Sequence, residues 1–302
     1  MDAPSHGTIE RKPEWFKIRL NTNESYKGLK SLVREQALHT VCEEASCPNI
    51  HECWGKHRTA AFMILGDTCT RRCRFCDVKT GMPQAVDPLE PRRVAESVRR
   101  MGLRHAFVTM VNRDDLPDGG ARILANTVLA ITALNPECSV EVLSSDLLGR
   151  RESIELLVDS HPTITGHNIE TVRRLTPLIR SRSRYERSIA FLATAKELNP
   201  GGITKSSMML GLGETFDEVL EAMDDLRAAG VEMINIGQYL QPSKTHAPVV
   251  RYWHPKEFLE LRRAAIDKGF THCESGPLVR SSYHATEQFD AYKHSNSQFE
   301  PH

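Results

Sequence analysis

Six apolar, β-rich runs alternate with amphipathic helical patterns, and this alternation limits the possible folds more than any other feature of the chain. The runs lie at 61–65, 106–111, 140–143, 163–167, 207–212 and 233–240. One helical pattern begins at Pro91, a favourable first helical residue. It places Val94, Ala95, Val98 and Met101 on one face before Gly102. Another begins at Thr215, with Glu218 completing a capping box. Its face is Phe216, Val219, Leu220, Met223 and Leu226, and Gly230 ends it. Further helical patterns cover 121–134, 170–179, 185–198 and 256–268. Strands that alternate with helices predict a parallel sheet of βα units joined by right-handed crossovers. Pattern alone leaves a closed or partly closed barrel and an open doubly wound sheet equally available. Residues 1–60 read as polar and irregular, and the tail from about Lys293 as polar and frayed.

At 302 residues and 40% hydrophobic content the chain can bury a substantial core. Lys+Arg and Asp+Glu both number 39, so no global field points to nucleic acid. Two local stretches are rich in arginine: Arg92, Arg93, Arg99, Arg100 and Arg104, and Arg180, Arg182, Arg184 and Arg187. They read as solvated helix faces, or alternatively as a docking face for an acidic partner. Residues 1–10 carry neither the apolar core of a signal peptide nor the pattern of a transit peptide, and no run is long enough to span a bilayer. The expectation is a cytoplasmic chain with no membrane partner and reduced thiols, whose clustered cysteines serve metal binding or catalysis.

Six of the eight cysteines fall between Cys42 and Cys76. Cys69, Cys73 and Cys76 follow the first apolar run directly. That puts them in a loop at the C-terminal end of a strand, where α/β folds keep their sites. Three thiolates are one too few for a closed site. A four-iron cube so held keeps one iron open to a ligand that is not protein. A zinc ion completed by a distant histidine is the rival, although the paired arms of a usual zinc site are missing. Arg71, Arg72, Arg74 and Asp77 surround the sulfurs and speak against a purely apolar core role. The upstream triplet, Cys42, Cys47 and Cys53, suits an iron–sulfur cluster or a zinc ion completed by His51 or His57, and spacing does not decide between them. Cys138 and Cys273 are isolated and read as structural.

The run Cys-x3-Cys-x-aromatic-Cys, with Phe75 as the aromatic, resembles the signature of the radical S-adenosylmethionine superfamily. The pair of triplets is similar to the lipoyl synthase family within it. The likeness extends through Thr40-Val-Cys-Glu-Glu-Ala-Ser-Cys-Pro-Asn, Arg113-Asp-Asp-Leu-Pro-Asp-Gly-Gly, His167-Asn-Ile-Glu-Thr-Val, Met209-Leu-Gly-Leu-Gly-Glu-Thr and Gly276-Pro-Leu-Val-Arg-Ser-Ser-Tyr. The resemblance implies a partial (β/α)6 TIM-type barrel over 59–270. An N-terminal extension, 1–58, would carry auxiliary-cluster ligands, and a C-terminal segment, 271–302, would close the site. It implies two [4Fe-4S] clusters and S-adenosylmethionine as cofactors. Cys69, Cys73 and Cys76 would hold the cluster whose open iron binds S-adenosylmethionine, with Phe75 beside the adenine. Cys42, Cys47, Cys53 and Ser281 would hold the auxiliary cluster; from residue type alone Ser281 is an ordinary surface hydroxyl.

The implied reaction is radical insertion of sulfur at the sixth and eighth carbons of an octanoyl group on a carrier-protein lysine, the auxiliary cluster being the sulfur source. Such carbon–hydrogen bonds offer no acidic proton, so acid–base catalysis would not serve. The implied partners are octanoylated lipoyl carrier domains, an electron donor such as ferredoxin or flavodoxin, and an iron–sulfur carrier protein. A related possibility is another radical enzyme whose auxiliary cluster relays electrons or anchors substrate. Asp118, Gly119 and Gly120 resemble the position that binds the amino group of S-adenosylmethionine; without the resemblance they read as an Asp-Gly turn. Asn168, with His167 and Glu170, and Gly211, Gly213 and Glu214 stand at strand ends, as ribose or substrate contacts or as a structural network. Departures from the family pattern at Asn112, Leu143–Asp146 and Gly166 touch no expected cluster ligand and bear on substrate choice.

Overall fold

The computed structural model describes residues 12–17, 20–57 and 59–297, so the reading of residues 1–10 lies outside the described residues. The chain opens with α1 (Glu24–Glu35), β1 (His39–Thr40), α2 (Val41–Glu44), α3 (Ile50–Glu52) and a π-helical turn, Cys53–His57. The repeating part follows: β2 (Ala61–Ile64), α4 (Glu90–Met101), β3 (His105–Met110), α5 (Ala121–Leu134), β4 (Ser139–Leu143), α6 (Arg151–Val158) and β5 (Ile164–Gly166). It continues with α7 (Thr176–Ile179), α8 (Tyr185–Leu198), β6 (Ile203–Leu210), α9 (Phe216–Ala228), β7 (Met233–Gln238), α10 (Pro255–Asp267), β8 (His272–Gly276) and α11 (Ala285–Ser297).

Strand order separates the two folds that pattern alone left open. β2 to β8 run parallel in strict sequence order, and β1 pairs antiparallel on the outer edge of β2. A doubly wound sheet reverses its order at a switch point, and this one never does. Among the described residues no ladder joins β8 back to β2, so the sheet is a partial barrel. Among the described residues the parallel strands number seven rather than six, because β8 continues the sheet past residue 270 by pairing with β7.

Local chemistry explains why the elements start and stop where they do. Thr215 Oγ1 accepts from the Glu218 amide (3.2 Å) and the Glu218 carboxylate accepts from the Thr215 amide (2.8 Å), so the expected capping box begins α9. In α4, Pro91 stands in the first turn and Gly102, at φ +62°, closes the helix. Two expectations fail. Residues 1–60 are not irregular throughout: Asn23 accepts from the Tyr26 amide and starts α1, which buries Leu29, Leu32 and Val33. The helix expected over 170–179 shrinks to α7, because Glu170 sits at φ +64° and its backbone bridges to Met208 instead.

The C-terminal helix packs against the N-terminal ends of the strands, where Phe289 and Tyr292 join Ile164, Ile203 and Met233. Phe289 of α11 stacks on His105 of β3 at 5.4 Å, and the Tyr292 hydroxyl donates to Glu232, next to β7 (2.7 Å). Beside this contact Glu141 is buried 2.8 Å from the Lys205 ammonium, with His105 at 3.3 Å. Burial pushes the Glu141 carboxyl up, but the Lys205 ammonium and the bond from His105 outweigh it and hold it low. No helix among the described residues is long and apolar enough to cross a membrane.

Candidate active site

Every loop that follows a parallel strand emerges on the same rim, and one arginine ties three of them together. Arg71, in the cysteine loop after β2, reaches Asp114 after β3 with Nε (2.8 Å) and Nη2 (2.8 Å). It reaches Asp146 after β4 with Nη1 (2.8 Å) and Nη2 (2.7 Å), and Ser183 with Nη1 (3.1 Å). Arg187 adds a further bond to Asp146 at 2.8 Å. Arg71 and Asp146 are both fully buried. The second arginine stretch is therefore not wholly a solvated face: Arg187 completes this clamp, and Arg180 is buried against the Ile169 carbonyl (3.0 Å) and Ser188 (2.9 Å).

Arg71→Ala strands a buried carboxylate, and the expected cost is about 3–5 kcal/mol, read as a fall in the urea midpoint of the apoprotein. Burial pushes the Asp146 carboxyl up, but its bonds to Arg71 hold it well below the usual carboxylate range. The clamp's stability is therefore present above the unfolded carboxylate value, about 3.9, and is lost as pH falls from there toward the folded value. An acid titration of Asp146→Asn should show a shallower loss than the parent chain over that window.

Cys69, Cys73 and Cys76 share this rim. The Cys69 amide donates to the Lys79 carbonyl (2.8 Å), and the Gly81 amide to the Cys69 carbonyl (3.0 Å). Farther along, the Arg74 amide bonds Ile179 (2.8 Å), and its carbonyl accepts from the Ala247 amide (2.7 Å). The loop is thus held from both ends before any ligand binds. Burial raises the Cys73 thiol to about 11 and the Cys76 thiol to about 12, with Cys69 close enough to add to both. Arg180 opposes the rise at Cys73, while Glu170 adds to it. Phe75 is partly buried and packs against the core.

The weaker candidates divide. The Asp118 carboxylate accepts from the Gly120 amide (3.0 Å) and the Arg122 amide (2.9 Å), so it serves the start of α5. Gly120 sits at φ +93°, a backbone that other residues adopt only with strain, and a Cβ there would also press on Leu65 Cδ1 at 2.4 Å. Asn168 donates to Glu170 (3.1 Å), beside the cysteine loop. His167 belongs to a structural network, since Nδ1 meets the Ser144 carbonyl and Nε2 meets Ser188, both at 2.9 Å. Burial pushes its imidazole down to about 4. Glu214 accepts from the Leu212 amide (3.0 Å) and the Trp253 indole (2.8 Å), and so holds the loop after β6.

Cys42, Cys47 and Cys53 form a second group of mutually close thiols. Burial raises all three, Cys42 to about 12, and Cys53 feels both of the others. The turn after β8 comes to meet them. Asn49 Nδ2 donates to the Leu278 carbonyl (2.6 Å), and Tyr283 donates to Glu52 (3.4 Å). Asn235 of β7 donates to the carbonyls of Arg280 (3.0 Å) and Ser281 (3.1 Å). Gly237 makes the approach possible, because any Cβ there would fall 2.0 Å from the Val279 carbonyl oxygen. Desolvation pulls the Arg280 guanidinium below its usual range while Cys47 opposes the shift, so Ser281 is next to a residue that reaches this triplet.

These donor sets suit iron better than protons. Each triplet gathers enclosed sulfurs, and at Cys42, Cys47, Cys53, Cys73 and Cys76 burial is the largest influence favouring the neutral thiol, a preference that bound metal reverses. The zinc alternative for the first triplet loses its fourth ligand. His51 stacks on Tyr26 and meets the Asn21 carbonyl (3.1 Å), and His57 faces Glu287 and Glu52.

A sequence profile described as the Radical SAM superfamily matches residues 63–226, and one described as the N-terminal domain of lipoyl synthase of the Radical SAM family matches residues 4–47. The lipoyl synthase of Shouchella clausii (strain KSM-K16) is 62% identical over 278 residues, covering 92% of this chain and 90% of that protein. That of Geobacillus sp. (strain WCH70) is 64% identical over 281 residues, covering 93% and 94%. Two solved structures share the fold. Methylornithine synthase (PylB) is 12% identical with a TM-score of 0.54, covering 82% of this chain and 71% of that one. Streptococcus suis SuiB bound to precursor peptide SuiA is 13% identical with a TM-score of 0.56, covering 90% and 58%. The partial barrel, the two cysteine triplets and relatives of more than 60% identity along nearly the whole chain lead to one conclusion: the chain belongs to the lipoyl synthase family of the radical S-adenosylmethionine superfamily.

Proposed function

We propose that this chain inserts two sulfur atoms, at the sixth and eighth carbons of an octanoyl group held on the lysine of a lipoyl carrier domain. Cys69, Cys73 and Cys76 would hold one [4Fe-4S] cluster, the one that serves S-adenosylmethionine. Cys42, Cys47, Cys53 and Ser281 hold the second. Once bound, these groups supply an electron, a hydrogen-abstracting radical and sulfide, none of which a side chain provides.

The chain's own residues position and enclose. Arg71 keeps the cysteine loop registered against the loops after β3 and β4 through its buried carboxylates. Arg180 sets a positive charge beside Cys73 and so favours its thiolate. Asn235, through the carbonyls of Arg280 and Ser281, fixes the turn that faces the first triplet. The observation that carries the reading is this meeting of the turn after β8 with the Cys42–Cys53 segment, through the Asn49–Leu278 and Glu52–Tyr283 bonds. An external one-electron donor and a protein that rebuilds the spent cluster are the partners this chemistry requires.

The test is a single turnover of the anaerobically reconstituted protein with an octanoylated carrier domain. Acid-labile sulfide should fall from about eight to about six per chain as product forms, the two missing atoms being those now in product. Product formed with sulfide unchanged would assign the second cluster to electron relay or substrate anchoring instead.

A further inference from the structure

Beside the first triplet, three potential ligand atoms converge without a thiol. His57 Nε2 lies 3.8 Å from Glu52 Oε1, and His284 Nε2 lies 3.5 Å from the same oxygen. All three atoms fall within 4.8 Å of one another. Neither Nε2 has a hydrogen-bond partner among the described residues, and both atoms are shielded from solvent. The separations are long for hydrogen bonds, which cluster near 2.7–3.2 Å. They are close to the spacing of about 3.3–3.6 Å between tetrahedral ligands that each sit roughly 2.0–2.2 Å from one ion.

The outer contacts point the same way. His57 Nδ1 bonds the Glu287 carboxylate at 2.8 Å, an arrangement that directs Nε2 inward and raises its donor strength. Tyr283 donates to Glu52 Oε2 (3.4 Å), leaving Oε1 to the two imidazoles. The Tyr283 ring stacks on His284 with centroids 3.9 Å apart, and the His57 and His284 rings lie 4.2 Å apart. Two imidazoles, one carboxylate and a carboxylate behind one imidazole make a donor set for a divalent ion of the zinc class.

We propose that Glu52, His57 and His284 bind one such divalent ion, which fastens the Cys53–His57 turn to the start of α11. Glu52 and His57 come from the segment that carries the first triplet, while His284 and Glu287 come from the segment that carries Ser281. The bound ion therefore holds together the two segments whose contact matters most at this end of the molecule. The proposal stands whether or not the neighbouring thiols hold iron.

The experiment uses the full-length, anaerobically reconstituted protein, incubated with one equivalent of Zn2+ and desalted. About one zinc per chain should remain, with only nitrogen and oxygen ligands by X-ray absorption, and iron should stay at about eight per chain. His57→Ala and His284→Ala should each lower retained zinc at least about tenfold, about 1.4 kcal/mol of binding, with iron content unchanged as the control for folding. Hydrogen exchange in 281–287 should slow on zinc addition in the parent chain and not in either variant. The site is overturned by a chain that retains no zinc, by sulfur ligands or iron loss on zinc addition, or by zinc retention that both variants leave intact.

Discussion

Cys69→Ala will abolish reductive cleavage of S-adenosylmethionine while leaving the rest of the molecule in place. The backbone at this position is fixed by the Lys79 and Gly81 bonds, which alanine keeps. Arg71 continues to clamp the loop to Asp114 and Asp146. What disappears is one buried sulfur, which accepts a long bond from the Arg71 amide (3.4 Å). Two remaining thiolates do not retain a four-iron cube, so iron should fall from about eight to about four per chain. No residue on the rim offers a bypass, because an octanoyl carbon–hydrogen bond has no acidic proton for a carboxylate or imidazole to take. 5′-Deoxyadenosine formation should drop more than about a thousandfold, a barrier increase of roughly 4 kcal/mol. The apoprotein's urea midpoint should move by less than about 1 kcal/mol in stability. The control is Cys53→Ala, which should lose a similar amount of iron yet still form 5′-deoxyadenosine. If Cys69→Ala still cleaves S-adenosylmethionine, the roles of the two triplets have been exchanged.

The elements that the sequence makes legible are those whose own residues carry the signal. α9 declares itself through Thr215, Glu218 and a stripe of apolar side chains, and α5 and α8 begin and end where their periodicity does. β8 gives no such signal. His272-Cys273-Glu274-Ser275-Gly276 is polar and only partly covered, and it is a strand because β7 offers it a free edge. α1 is hidden by its polar surroundings, since three buried apolar residues suffice to dock it. Residues 170–179 mislead in the other direction: the apolar spacing is helical, but the backbone of Glu170 turns left-handed to follow β6.

The candidate site divides along the same line. Six cysteines in a short stretch are visible without a structure, because ligand chemistry restricts both residue type and spacing. The Arg71 clamp is not visible, since residues 71, 114, 146 and 183 have no common spacing and meet only when the strands align their C-terminal ends. Ser281 is likewise silent. A hydroxyl in a polar loop carries no periodicity, and only the family resemblance singled it out.

Ser281 therefore bears the second large effect. Its carbonyl accepts from Asn235, and that bond does not depend on the side chain, so the turn should survive substitution. Ser281→Ala removes only the hydroxyl. Cleavage of S-adenosylmethionine, which the proposal places at Cys69, Cys73 and Cys76, should continue within about threefold of the parent rate, less than about 0.7 kcal/mol in barrier. On the proposed assignment of Ser281 as the fourth auxiliary ligand, sulfur insertion should fall at least about a hundredfold, about 2.7 kcal/mol. Ser281→Cys separates ligation from lability. Thiolate matches iron better than a hard oxygen does, so this variant should keep about eight iron per chain. A tighter ligand is also harder to release, so product should form more slowly than in the parent chain although 5′-deoxyadenosine still accumulates. The comparison needs three readings on each variant: iron per chain, 5′-deoxyadenosine and lipoyl product. Parent-level product from Ser281→Ala would remove the hydroxyl from the donor set and leave the first triplet to find its fourth ligand elsewhere.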